Sequence, residues 1–177
     1  MDGDELLQLI AEGKRHHPGL ELAEAILAGV DLRQTNLRAA KLTALDLRGA
    51  NLTRADLRDA ILTRINLRGA HLFSVNLEGA RFVQVDLSGA NLHAARLAGA
   101  HMAGISLRAC HLTGGDLAGA NLRGANLQGA NLTQASLRGA DLRGANLVEA
   151  ILTGADFAHA LLDSAKRTRD QLGEFPG

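Results

Sequence analysis

Apolar and polar positions recur along this chain with a period of five residues. In the stretch GANLRGANLQGANL, residues 119–132, a central Leu follows Asn, and a small residue precedes the Asn. From Leu22 to Leu162 the central position, called i below, occurs 29 times without an insertion, and it is almost always Leu. The exceptions are Phe82, Met102 and Phe157. Position i−2 is small or aliphatic, most often Ala.

A period of five fits neither a regular helix nor a flat strand. In a helix, residues five apart are about 500° apart and would spread around the whole surface. In a strand, side chains alternate between the two faces, so successive Leu would point to opposite sides. The pattern therefore predicts a short extended piece, with i−2 and i on one side, followed by a corner at which Gly is common.

The number of sides in one turn of this coil can be read from the larger residues at i−2. Between residues 40 and 120 these are Leu45, Ile65, Val75, Val85 and Ile105, and four of the five are separated by 20 residues. The i−2 column that starts at Ala40 and runs to Ala160 in steps of 20 residues is uniformly Ala. A 20-residue period means four units per coil, and hence a square cross-section.

The A[DN]Lxx units resemble those of the pentapeptide-repeat family over about residues 20–165. The resemblance implies an all-β solenoid, a right-handed quadrilateral β-helix with four pentapeptides per coil. Twenty-nine units then give about seven coils and a rod roughly 34 Å long at about 4.8 Å per coil. We expect a capping helix and linker over 1–18, the β-helix over 19–165 and a C-terminal cap or tail over 166–177.

Both ends of such a rod need covers, because an open β-helix exposes an unpaired edge. Near the N-terminus the sequence predicts a short helix with Asp2 or Asp4 near its N-cap and Gly13 at its end. At the other end Thr168 and Gln171 have capping-box spacing. Two interpretations of the outward apolar residues stay open: cover by the tail, or an end-to-end homodimer seam, which the family resemblance suggests because family dimers often join at the C-terminal coil. The candidate seam residues are Val148, Ile151, Leu161, Leu172 and Phe175.

Composition narrows the function classes. The 19 basic and 19 acidic residues cancel, so no overall charge attracts nucleic acid or an anionic membrane. One cysteine, Cys110, excludes an internal disulfide and fits the cytoplasm, and it occupies an inward i−2 position. No apolar run is long enough to span a membrane. No Gly-Lys-Ser/Thr phosphate loop occurs, and a rod offers no concave pocket, so we expect neither catalysis nor a cofactor.

The outward positions supply the candidate interaction surface. Arginines favour i+1, and the segment from Arg33 to Arg81 has nine basic and four acidic residues. An anion-binding strip and an ordinary solvated face are both open there. In the square coil, three histidines and an exposed aromatic share one side, as an ordinary polar cluster or, less simply, as a metal site. The candidate residues are Arg38, Arg48, Arg58, Arg68, His71, Phe73, His93 and His111.

The leading hypothesis is a non-catalytic rod that binds an unidentified protein. The alternative comes from the family resemblance: quinolone-resistance members mimic DNA and bind DNA gyrase, which requires a strongly acidic surface. The neutral charge and the Arg-rich positions of this chain depart from that requirement. Direct nucleic-acid binding lacks the aromatic stacking platforms and the net positive charge it usually needs.

Overall fold

The computed structural model describes residues 1–168, which form an N-terminal helix and a coil of very short parallel strands. The regular elements are α1 (Gly3–Ala11), β1 (Glu21–Ala23), β2 (Lys41–Thr43), β3 (Ile61–Thr63) and β4 (Arg81–Val83). The strands form one parallel sheet in the order β1-β2-β3-β4, and each residue pairs with the residue 20 positions later. Isolated bridges continue this offset to Asn146 and Lys166. The right-handed quadrilateral β-helix is therefore confirmed.

Each coil has four sides, and the outward residues i−1 and i+1 of stacked units form four flat faces. Face 1 contains β1 to β4 and continues through residues 101–103, 121–123, 141–143 and 161–163. The other faces recur with the same 20-residue step, face 2 from residues 26–28, face 3 from 31–33 and face 4 from 16–18. Faces 1 and 3 lie on opposite sides of the rod, and so do faces 2 and 4.

The interior is built from the central residues and the small residues between them. Leu at position i is buried in almost every unit, and full burial of one Leu side chain stabilises the fold by roughly 1.5–3 kcal/mol. Cys110 is completely buried, as the sequence predicted, and burial raises the pKa of its thiol to about 12. Thr35 is the exception in this apolar interior, because its buried hydroxyl has no hydrogen-bond partner among residues 1–168.

The corners place residue i+2 in the left-handed region, whether or not it is Gly. Gly49 has a φ of 63° and Ala39 a φ of 56°. In most units the N–H of residue i+3 donates to the carbonyl of residue i and closes the turn. Within residues 1–168 this bond is missing at the first five corners of one column, where four of the five inward residues are large, and it is present again from Ala125 onward. Those corners precede Ala25, Leu45, Ile65, Val85 and Ile105. Four large side chains thus occupy corners that lack this hydrogen bond, next to face 1.

The N-terminal helix covers the first coil. Asp2 is its N-cap and accepts a hydrogen bond of 2.8 Å from the Glu5 N–H. At the other end the Gly13 N–H donates to the Ile10 carbonyl and the Lys14 N–H to the Leu9 carbonyl. This is the Schellman arrangement, and it needs the positive φ of 78° that Gly13 adopts.

Leu6 and Ile10 on the inner side of α1 are buried against the coil. The first bridge joins His16 to Asn36, so strand-like pairing begins slightly before residue 19. At the C-terminal end, Gln171, Leu172 and Phe175 of the expected cap lie outside the described residues.

Candidate interaction surface

The Asn or Asp at i−1 completes the hydrogen bonding of each unit. Residues 51–55 illustrate this, because all five main-chain N–H groups have an acceptor there. Two of the groups donate to the following coil, one to the preceding coil and one across the corner. The fifth, the outward N–H of Thr53, donates to the Asn51 side-chain oxygen at 3.1 Å. The repeated Asn/Asp is therefore a structural acceptor in the first place, since a short side chain can bond its own backbone two residues on.

The acidic residues at i−1 are consequently engaged in the scaffold. Asp46 accepts hydrogen bonds from the Arg48 guanidinium and from the Arg48 N–H. The Arg48 guanidinium lowers the pKa of the Asp46 carboxyl, and Arg143 lowers that of Asp141 to about 2. Several acidic residues at i−1 are thus paired with an Arg side chain, which offsets their negative charge.

Breaks in the Asn/Asp column mark positions that the scaffold does not explain. On face 3 the column is interrupted by His71, His111 and Ile151. In these three units, among the residues that the structure describes, the N–H groups of Phe73, Thr113 and Thr153 have no acceptor. A side chain that gives up a structural hydrogen bond is a better candidate for function than one that fits the repeat.

Face 3 brings together the aromatic candidates. The bridges place His71, Asn91 and His111 in one column, and Phe73 stacks on His93 with ring centroids 5.4 Å apart and planes 10° apart. His93 is exposed and Phe73 is partly buried. From residues 51–53 to 151–153 no outward residue of face 3 carries a formal charge at neutral pH when His is neutral.

The four candidate arginines lie elsewhere. Arg38 and Arg58 are on face 4, and Arg48 and Arg68 are on the opposite face 2. Each guanidinium lies near a carboxylate. Arg48 is 2.6 Å from Asp46, and Arg58 is paired with Asp56 in the same way. Arg38 and Arg68 are farther, each 3.7 Å from its partner, which is Asp59 for Arg38 and Asp86 for Arg68. The structure therefore splits the eight candidates into three groups on three faces. Exposed pairs of this kind contribute little stability individually, typically about 0–1 kcal/mol.

A comparison with protein-family models finds a match to pentapeptide repeats in eight copies, over residues 21–54, 50–89, 90–129 and 125–163. The chain belongs to the pentapeptide-repeat family. No curated protein matches it at the threshold applied.

Solved pentapeptide-repeat structures are similar to this chain. HetL, involved in heterocyst differentiation regulation in the cyanobacterium Nostoc, is 31% identical, with 94% of each chain covered and a TM-score of 0.32. Rfr23 from the cyanobacterium Cyanothece is 25% identical, covering 93% of this chain and 98% of that one, with a TM-score of 0.38. QnrB1, a plasmid-mediated fluoroquinolone resistance protein, is 19% identical over 89% and 87%, with a TM-score of 0.46. Since all three TM-scores are below 0.5, these structures do not indicate what this chain binds.

Two other kinds of site are absent from the part of the chain that the structure describes: a metal-binding cluster and a membrane-spanning helix. Over residues 1–168, no group of three or more His, Cys, Asp or Glu side chains is placed to hold a metal ion. His71, His93 and His111 are each exposed to solvent. No helix among these residues is long and apolar enough to cross a membrane.

The three described residues of the expected dimer seam, Val148, Ile151 and Leu161, lie on three different faces. Val148 is on face 2 and partly buried, Ile151 on face 3 is 50% exposed, and Leu161 on face 1 is 45% exposed. Leu172 and Phe175 lie outside the described residues. The homodimer stays a prediction.

Proposed function

We propose that this pentapeptide-repeat chain is a non-catalytic rod that binds another protein through face 3. The observation that carries the proposal is the stacked Phe73–His93 pair in the middle of an uncharged face. Cores of protein interfaces are depleted in charged residues and enriched in aromatic ones. Face 3 has this composition, whereas the other three faces carry several charges each.

The backbone of face 3 supports the same assignment. The N–H groups of Phe73 and Thr113 have no acceptor within residues 1–168, so a partner can accept hydrogen bonds from them. His71 and His111 flank them and supply ring nitrogens that donate or accept according to their tautomer. These donors stand on a backbone held by hydrogen bonds between coils, so little ordering is needed on binding.

A pair of matched substitutions tests the proposal. Phe73 and Val83 both occupy outward i+1 positions, but they lie on the opposite faces 3 and 1. Tagged wild-type protein, Phe73→Asp and Val83→Asp are used to capture partners from a cell extract, with quantitative mass spectrometry as the readout. We expect a protein that the wild type and Val83→Asp retain equally and Phe73→Asp loses.

Thermal unfolding of the three proteins is the control for folding. Capture that survives Phe73→Asp but disappears in Val83→Asp would assign binding to face 1 and refute the role of face 3. Equal capture by all three proteins would also refute it.

The charges of the faces do not favour the alternative, a DNA mimic that binds gyrase. These charges are those of the outward i−1 and i+1 positions of residues 16–166. Face 1 has three acidic and four basic residues, and face 2 has two acidic and four basic residues. Face 3 has one of each, and face 4 has four of each. Because DNA presents a dense line of negative charge, a mimic needs at least one strongly acidic side. A gyrase supercoiling assay separates the two functions, and we expect no inhibition at stoichiometric protein.

A further inference from the structure

A cleft on face 2 has the composition of an anion site. Its volume is about 440 Å³, and its lining consists of Arg68, Ser88, Gly89, Arg108 and Ala109. Arg68 and Arg108 occupy the same outward column two coils apart, and Ser88 stands between them. The small Ser side chain leaves room between two guanidinium groups, and no acidic residue lines this space.

Arg108 has no counter-ion in the part of the chain that the structure describes. Its guanidinium forms no ion pair, and its main-chain N–H has no acceptor. The Arg108 N–H lacks an acceptor because Ser106 replaces the usual Asn or Asp at i−1. The Ser106 hydroxyl is instead 2.7 Å from the Ser88 hydroxyl.

Arg68 is held only loosely. Its guanidinium is 3.7 Å from Asp86 Oδ2, longer than a hydrogen bond. Asp86 Oδ1 accepts from both the Ser88 N–H and the Ser88 hydroxyl, at 2.9 and 2.5 Å. Asp86 is thus held by Ser88, and no hydrogen bond ties Arg68 to Asp86, so the Arg68 side chain can turn toward an incoming anion. Arg48, in the next coil of the same column, is different because two short bonds hold it on Asp46.

We propose that this cleft binds a phosphate monoester, carried as phosphoserine or phosphothreonine by the protein that docks on face 3. This inference rests on the proposed function. Arg binds phosphate oxygens with two parallel N–H donors, at about 2.8 Å per bond. Two such donors on opposite sides of one phosphate can be up to roughly 8 Å apart. Arg68 and Arg108 are two coils, roughly 9–10 Å, apart at the backbone, so the flexible side chains need to lean toward each other only slightly.

The charges match a single phosphate better than a nucleic-acid strand. A phosphate monoester carries nearly two negative charges at neutral pH, and Arg68 and Arg108 supply two positive ones. A nucleic acid presents a phosphate at every nucleotide and needs a continuing line of free basic groups. Face 2 does not continue the line, because Arg48 is paired with Asp46 on one side and Gln128 follows on the other.

The cleft adjoins face 3 across a corner whose outward residues are small: Gly69, Gly89 and Ala109. Gly69 and Gly89 separate face 2 from face 3 at this level, and a Cβ built on either would meet nothing within 4 Å. Immediately beyond the corner are His71 and His111. A segment bound on face 3 can therefore cross the open corner and place a phosphorylated side chain between the two arginines.

The test is a titration of ¹⁵N-labelled full chain with inorganic phosphate, followed by amide and Arg Nε chemical shifts at constant ionic strength. We expect shifts centred on Ser88, Gly89 and Ala109. Arg68→Gln and Arg108→Gln should each weaken binding about tenfold or more, because each removes a charge-assisted hydrogen bond.

The control is Arg138→Gln. Residues 136–138 repeat the Ser-Leu-Arg of residues 106–108, but the Arg138 guanidinium is paired with Asp156 at 2.8 Å. Arg138→Gln should therefore leave the phosphate titration unchanged. Shifts that persist in Arg108→Gln, or that spread equally over all arginine units, would overturn the assignment.

Two further probes separate the sources of the phosphate. O-phosphoserine should reproduce the phosphate shifts, and serine should not. A single-stranded oligonucleotide that binds far more tightly at the same residues would overturn the phosphoprotein assignment. Phe73→Asp leaves the cleft intact, so a normal phosphate response in that variant with unaltered partner capture would refute the role of face 3 while retaining the cleft.

Discussion

Replacing His71 with Asn is expected to make the rod more stable and its partner binding weaker. In the coils on either side, Asn51 and Asn91 each accept a hydrogen bond of 3.1 Å from the N–H two residues later. His71 stands in the same column and leaves the N–H of Phe73 without an acceptor among residues 1–168. The substitution supplies the missing acceptor in a position whose backbone already has the required geometry.

The magnitude follows from one added hydrogen bond to a partly buried group. Such a bond contributes about 0.5–1.5 kcal/mol to the free energy of unfolding. For a chain of this length, 1 kcal/mol corresponds to a change in Tm of about 2–4 °C. The reciprocal variant, Asn51→His, removes the acceptor of the Thr53 N–H and should lower the Tm by a similar amount.

Thermal unfolding followed by far-UV circular dichroism measures both variants against the wild type, and urea unfolding gives an independent midpoint. Changes of opposite sign are the expected result. If both variants lower the Tm, or if neither changes it, the Asn/Asp acceptor is not what selects these residues in the repeat. If His71→Asn is stabilised and also captures the partner normally, His71 has no part in binding on face 3.

Three other substitutions address the interior and the ion pairs. Thr35→Val should raise stability by about 1 kcal/mol, because it removes a buried hydroxyl without a partner at nearly constant volume; a lower Tm would show that the hydroxyl is satisfied. Leu97→Ala should cost about 2–5 kcal/mol, since Leu97 is fully buried in the stacked column, and a loss below 1 kcal/mol would mean that the coils collapse around the cavity. Arg143 lowers the pKa of Asp141 to about 2, below its unfolded value near 4, so the stability from this pair is complete above about pH 4 and is lost as pH falls toward 2. Asp141→Asn retains an oxygen acceptor for the Arg143 N–H, and its unfolding midpoint should depend less on pH across that window than the wild-type midpoint does.

The sequence by itself determined the fold of this chain. The five-residue period fixes which residues point inward, because only a repeated corner returns every Leu to one axis. The 20-residue recurrence of Leu45, Ile65, Val85 and Ile105 sets four units per coil. The helix capped by Asp2 and ended at Gly13 was also readable, since caps are local signals. Each of these features depends on residues that are close in sequence or strictly periodic.

Only the tertiary structure decided what the outward residues do. Two contacts join residues about 20 positions apart: the stack of Phe73 on His93 and the pairing of Arg138 with Asp156. The lack of a counter-ion at Arg108 among the described residues is likewise a result of how the coils stack. Those contacts depend on how coils stack and on side-chain rotamers, which the repeat does not encode. The structure also showed that Asn and Asp serve the backbone N–H of residue i+1. With that role known, the breaks at His71 and His111 become visible in the sequence, because the scaffold alone would have placed Asn or Asp there.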